Sequence, residues 1–149
     1  MTDRGHAIAG FLATAGWAGA ACAPLAGDAS ARRYERLALG GRRAVLMDAP
    51  PGRREDTLRF TRVGSWLRKR GYSAPEVYAE DHGQGLLLLE DLGDALAARL
   101  VADNPALEAE IYTAATEFLA DLHRHAPPDF APPLDGAALA DLTAILPEW

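Results

Sequence analysis

One cysteine, Cys22, is all the thiol chemistry this chain carries. A disulfide framework and a multi-cysteine metal site within the chain are therefore excluded, and the composition fits a reducing, cytoplasmic setting. Long hydrophobic runs are missing as well. No segment reaches the roughly 18 consecutive strongly apolar residues of a membrane helix, so no membrane partner is expected. Residues 7–23 are rich in Ala and Gly, but His6, Gly10, Gly16 and Trp17 break the pattern, and no apolar block leads to the cleavage site of a secretory leader. Positive charge is not in excess: 15 Lys and Arg stand against 21 Asp and Glu, a net charge of -6. That balance argues against nucleic acid as the main partner. No internal repeat is visible.

What is present is an ordinary globular balance, 49% hydrophobic and 24% charged residues over a length of 149. That length suits one domain or two small lobes, and burial of roughly 68–70% of the unfolded surface gives it a real core.

The most informative stretch is residues 85–94. Four leucines, Leu86, Leu87, Leu88 and Leu89, run into Glu90, Asp91, Leu92, Gly93 and Asp94. The run is too short for a membrane span and fits a strand buried on both faces. Its acidic end marks the point where the chain leaves a core and reaches an edge or a cleft, so we expect the last strand of a small lobe followed by a hinge.

The rest of the chain is placed around it. Residues 3–17 read as a helix, with Ile8, Phe11, Leu12 and Ala15 at helical spacing, Asp3 as cap and Gly16 as stop. Residues 21–26 form a short strand held to an edge by Pro24. Residues 32–39 and 42–49 are strands joined by Gly40-Gly41, a hairpin signal, and Pro50-Pro51 stops the second. Residues 55–70 make an amphipathic helix with Phe60, Val63 and Leu67 on one face, Glu55 and Asp56 in its first turn and Gly71 beyond its end. Residues 76–80 and 85–89 are two further strands. Beyond the hinge, residues 94–101 read as a short helix capped by Asp94. Asn104-Pro105 starts a long helix running to about residue 125 with Leu107, Ile111, Ala115, Phe118, Leu122 and His125 on one face. A proline-rich connector covers residues 127–136, and residues 135–146 begin another helix.

Between the first two strands, Gly27, Asp28, Ala29 and Ser30 form a loop of small residues whose backbone N–H groups are able to approach an anion closely. Arg32 and Arg33 add charge beside it. The arginines gather in the first third of the chain, with Arg36, Arg42, Arg43, Arg53 and Arg54 joining those two; solvated strand and loop faces are the competing reading. Asp121, His123 and His125 do not read as a metal site, since residues two apart on a helix do not face each other. His82 is expected in an exposed turn, Cys22 in packing without an activating partner, and Trp66 in packing.

Helix, three strands, helix, two strands and hinge give an α+β fold: a five-stranded antiparallel sheet with one intervening helix and an N-terminal helix. This order resembles the small N-lobe of a protein-kinase-like fold, here residues 1–92, followed by the hinge and the first helices of a truncated C-lobe in residues 93–149. Three motifs carry a closer resemblance: residues 27–34, Gly-Asp-Ala-Ser-Ala-Arg-Arg-Tyr; residues 43–51, Arg-Ala-Val-Leu-Met-Asp-Ala-Pro-Pro; and residues 87–94, Leu-Leu-Leu-Glu-Asp-Leu-Gly-Asp. A fourth is the helix end Leu119-Ala120-Asp121-Leu122-His123. Together they resemble the aminoglycoside/choline phosphotransferase family. Within it they look most like the cytoplasmic kinases that phosphorylate the anomeric hydroxyl of N-acetylmuramate and N-acetylglucosamine in cell-wall recycling.

The resemblance implies ATP-dependent phosphoryl transfer with Mg. Carried over by position, Gly27, Asp28, Ala29 and Ser30 cover the phosphates, Val45 touches the adenine ring, and Glu90, Asp91 and Leu92 offer backbone to adenine. Two departures stand out. Met47 occupies the position where kinases of this fold place a lysine on the α- and β-phosphates; Arg32, Arg33 or Arg43 is then the source of positive charge, and Glu55 or Asp56 loses its ion-pair partner. No His-Gly-Asp catalytic loop occurs, so the chain is expected to be the N-terminal portion of a longer kinase, without turnover on its own. The acceptor stays open between an amino sugar and an aminoglycoside or choline-type alcohol. The alternative of another class is a non-catalytic nucleotide-binding or interaction module.

Overall fold

Two leucines of the central run face one way and two the other, and this division organises the sheet. In the computed structural model, which describes residues 3–25, 31–51 and 57–143, five strands form one antiparallel sheet. They are β1 (Ala21–Pro24), β2 (Arg33–Leu39), β3 (Arg42–Asp48), β4 (Val77–Asp81) and β5 (Leu86–Leu89). Their spatial order is β1-β2-β3-β5-β4, so the leucine strand lies inside the sheet between β3 and β4. The helices are α1 (Asp3–Thr14), α2 (Thr57–Arg68), α3 (Ala97–Asp103), α4 (Glu108–Leu122) and α5 (Gly136–Thr143).

Alternation assigns the two faces. Leu86 and Leu88 join Leu37, Ala44 and Leu46 in a cluster closed by Leu12 and Trp17, with Ile8 and Phe11 of α1 packed on it. Leu87 and Leu89 join Met47 and Ala49 on the other face, with Tyr34, Val45, Val77 and Phe60 of α2 packed on them. Each fully buried leucine stabilises this arrangement by about 1.5–3 kcal/mol.

Glycines at two turns fix the connections. Gly40 and Gly41 both have positive φ, 56° and 81°, the requirement of a two-residue hairpin that follows strand twist; Leu39 accordingly pairs with Arg42. At Gly85, φ is +65° and an added Cβ would sit 1.9 Å from the Ala49 carbonyl oxygen. The same contact brings the Ala49 N–H to the Gly85 carbonyl at 2.9 Å.

Several expectations need correction. The first helix ends at Thr14 rather than residue 17: Gly16 turns the chain at φ 75°, the Trp17 N–H donates to the Leu12 carbonyl at 2.7 Å, and Trp17 is folded into the core, 5% exposed. Arg42 then stacks over its ring at 4.6 Å. Asp94 does not cap α3, whose N-cap is Leu96 without a side-chain bond; Arg36 holds the Asp94 carboxylate instead. His82 is not a free surface residue. Its Nδ1 lies 3.0 Å from Oγ1 of buried Thr57 and its Nε2 lies 3.4 Å from Glu80. Glu55 and Asp56 lie outside the described residues.

The chain divides into two units, Met1–Asp94 and Ala95–Trp149. In the second, Asn104 accepts the Ala106 N–H at 3.2 Å and a 3-10 turn over Pro105–Leu107 leads into α4. Asp135 accepts the Ala138 N–H at 2.9 Å at the start of α5. None of α3, α4 and α5 has a buried residue. Tyr112, Leu119, Leu134 and Leu142 are all more than half exposed.

Candidate nucleotide site

The candidate site grows from the sheet face that carries α2. Register places Ala23 beside Arg36, Arg36 beside Val45, and Val45 beside Leu89. One residue pair along, Tyr34, Met47 and Leu87 form the next row. In the opposite direction Ala21, Ala38 and Arg43 form another. Small alanines on β1 and β2 leave a concavity of about 350 Å³ bordered by Arg36, Arg43 and Asp94.

Met47 is 1% exposed, enclosed by Tyr34, Leu87 and their neighbours. An apolar side chain is what this apolar environment accepts, since an ammonium placed there loses its hydration. The chain's one lysine, Lys69, lies just past α2 and is exposed. Among the arginines named from the sequence, Arg43 shares the face of Val45 and Met47. Arg33 does not: it pairs with Asp48, whose carboxylate binds Arg4 of α1, and so belongs to the opposite face. Arg32 immediately precedes β2 and is half-buried. Gly27, Asp28, Ala29 and Ser30 lie outside the described residues.

The end of β5 is held from two sides. Glu90 donates its N–H to the Glu76 carbonyl at 2.8 Å, accepts the Glu76 N–H on Oε2 at 3.1 Å, and stands 3.8 Å from Arg68 of α2. From the other side, Arg36 reaches across the sheet. Its Nη2 donates to Asp91 Oδ1 at 3.1 Å and to Asp94 Oδ1 at 3.0 Å, and its Nη1 donates to Asp94 Oδ2 at 2.8 Å. Arg36 Nε and Asp91 Oδ2 also lie 2.8 Å apart, out of line for a hydrogen bond, so these two buried atoms rely on charge contact alone. Asp91 Oδ1 takes the Gly93 N–H as well, at 3.0 Å. The Asp91 side chain is 5% exposed and that of Asp94 58%. The bonds to Asp94, and then those to Asp91, push the Arg36 guanidinium still further above its ordinary value, against the opposing effect of burial. Leu92 is 59% exposed, and its N–H has no hydrogen-bond partner among the described residues.

Arg36 and Asp94 were not singled out as a pair by reading the sequence. Strand parity puts Arg36 on the face of Val45, but its partners lie 55 and 58 residues away. Cys22 is exposed on β1 rather than packed in the core as expected; partial burial, and then the nearby Glu35, push its thiol up. Among the described residues no three metal-capable side chains gather, and no helix is long and apolar enough to cross a membrane.

The model of the phosphotransferase enzyme family matches residues 21–149. The chain belongs to this family. Three curated relatives, each named N-acetylmuramate/N-acetylglucosamine kinase, are similar to it. The one from Caulobacter vibrioides is 35% identical over 82% of this chain and 40% of its own length. The one from Pseudomonas aeruginosa is 33% identical over 85% of this chain and 36% of its own length. The one from Pseudomonas putida is 36% identical over 82% of this chain and 35% of its own length. The chain thus spans well under half the length of these relatives. Its sheet, with α2 between β3 and β4, is the kinase-like N-lobe arrangement.

Proposed function

We propose that this chain is the nucleotide-holding portion of an amino-sugar kinase, which transfers the γ-phosphoryl group of ATP to the anomeric hydroxyl of N-acetylmuramate or N-acetylglucosamine. The products are the sugar 1-phosphate and ADP. The observation that carries the reading is the similarity, 33–36% identity over more than four-fifths of the chain, to kinases named for those two sugars. The same names support an amino sugar over an aminoglycoside or choline-type acceptor, and membership of a phosphotransferase family supports catalysis over a purely structural module.

The unit Met1–Asp94 supplies the nucleotide lobe in this reading. Val45 lies with Met47, Leu87, Leu89 and Val77 in an apolar patch of the sheet face that carries α2, as an adenine ring requires, and the patch borders the backbone of Glu90, Asp91 and Leu92. With the Glu90 N–H committed to Glu76, the backbone N–H groups of Asp91 and Leu92 are the donors left to meet a base edge. The family resemblance assigns the phosphates to the loop of Gly27, Asp28, Ala29 and Ser30, which lie outside the described residues. Arg32, at the end of β2 that adjoins this loop, is the cation in place of a lysine at Met47; Arg43 lies toward the hairpin end, away from it. When bound, ATP with its divalent cation, Mg in this reading, supplies the transferable phosphoryl group. The described residues bring no acidic cluster to that cation; its ligands and the acceptor site belong to the portion of such kinases that this chain does not cover. A cytoplasmic location follows from dependence on ATP and suits a lone unpaired cysteine.

The test is phosphoryl transfer by the full-length protein. Incubation with ATP, Mg and N-acetylmuramate yields an acid-labile sugar 1-phosphate, whereas residues 1–149 alone give none. Full-length protein that turns over aminoglycosides or choline but neither amino sugar contradicts the assignment.

A further inference from the structure

We infer that Arg36 is a positioning residue that sets the base preference of the nucleotide site, by locking the backbone of residues 90–94 into one register. The inference rests on the nucleotide reading above and goes beyond it, because Arg36 need touch no nucleotide atom.

The geometry is that of a clamp. The backbone leaving β5 is fixed at its start by the Val45–Leu89 and Val77–Leu89 pairings and by the Glu90–Glu76 hydrogen bond at 2.8 Å. Beyond that point no strand partner holds it. What holds it is one guanidinium on two carboxylates. Arg36 stands at the centre of β2, beside Val45, and spans from Asp91 to Asp94 with three hydrogen bonds of 2.8–3.1 Å. Asp91 in turn bonds the Gly93 N–H, which closes a tight turn around Leu92. The exposed Leu92 is therefore bracketed between two residues tied to the same side chain.

Bracketing matters for base choice. Adenine and guanine present opposite donor and acceptor patterns on the edge that faces a backbone strip. A strip held in one register pairs with one pattern and leaves its own polar groups unsatisfied against the other, which is how hydrogen-bonding sites discriminate. A strip free to shift pairs passably with both. The planar fork of arginine suits this task, since it fixes two carboxylates at once; the point charge of lysine does not. Pre-ordering the strip also lowers the ordering cost of binding.

The experiment uses the full-length protein and measures the affinities of ATP, GTP and inorganic tripolyphosphate by calorimetry. The variants are Arg36→Lys, Arg36→Met and the pair Arg36→Met with Asp91→Asn, the last so that no buried carboxylate is stranded if the single change impairs folding. Wild type prefers ATP. In Arg36→Met and in the pair, the ATP-over-GTP preference falls on the order of tenfold, the equivalent of one well-placed hydrogen bond, while tripolyphosphate binds as before. Arg36→Lys falls between. An unchanged ATP-to-GTP ratio in a folded variant overturns the inference and leaves the nucleotide reading standing. Wild type that binds no adenine nucleotide overturns the proposed function itself, and this inference with it.

Discussion

Arg4, near the start of α1, and Asp48, the last residue of β3, form an ion pair 44 residues apart in the chain, with Arg4 Nε 2.9 Å from Asp48 Oδ1. The Arg4 Nη2 joins the same oxygen, and Nη1 donates to the Gln84 carbonyl at 2.6 Å. One side chain thus fastens α1, the end of β3 and the β4–β5 turn together. It also gives the Met47-Asp48-Ala49 stretch a division of labour: Met47 and Ala49 serve one face of the sheet and Asp48 the other.

Removal of Arg4 strands a carboxylate that is only 8% exposed. Arg4→Met is expected to cost about 2–3 kcal/mol, less than a fully buried pair because Arg4 itself is partly solvated. Arg4→Met with Asp48→Asn recovers part of the loss. Urea unfolding of the full-length protein and its variants checks both, and equal losses in the single and double variants would show that the charge contact is not the cause.

Gly85 faces a backbone obstacle that no side-chain adjustment removes. Gly85→Ala pushes a Cβ against the Ala49 carbonyl at a φ of +65°, and a loss of about 2–4 kcal/mol is expected. Thermal melting reads this as a lowered midpoint, whereas Gly83→Ala, whose nearest neighbour is a side-chain oxygen at 3.4 Å, shifts it little.

Met47 separates two views of the site. If a lysine were merely missing from an otherwise ready pocket, Met47→Lys would improve phosphate handling. In this structure the residue is buried among Tyr34, Leu87 and Leu89, so Met47→Lys is expected to destabilise by several kcal/mol and to lower activity. Met47→Leu conserves volume and costs under about 1.5 kcal/mol. Melting curves and initial rates of the two variants decide the matter.

Cys22 offers a pH-dependent handle on β1. Burial and the Glu35 carboxylate both favour the neutral thiol, so less thiolate is present at pH 8 than on a free cysteine. Alkylation by iodoacetamide is therefore slow, its rate rises with pH, and Glu35→Gln, by removing a neighbouring negative charge, lowers the thiol pKa and speeds the reaction at fixed pH. A rate insensitive to Glu35→Gln would remove the electrostatic account.

Local patterns in the sequence were enough for much of this fold. Gly40-Gly41 announced its hairpin because positive φ at both positions is a local requirement, and the leucine run announced burial on both faces because Leu86 and Leu88 lie on one side and Leu87 and Leu89 on the other. What stayed hidden is long-range. Nothing near Gly16 says that Trp17 folds back onto Leu12. Nothing near Asp94 says that its carboxylate is spent on Arg36 rather than on a helix N-terminus. The opposite faces of Arg33 and Arg43 become clear only once the β2–β3 register is known, since a shift of one residue exchanges them.

The claim that the face of Val45 and the segment after β5 hold the adenine is tested most directly by amide hydrogen exchange on the full-length protein with and without ATP and Mg. The account predicts slower exchange on binding at residues 91–94 and along β3, with residues 4–14 of α1, on the opposite face, unchanged. Protection of α1 with no change at residues 91–94 would contradict it.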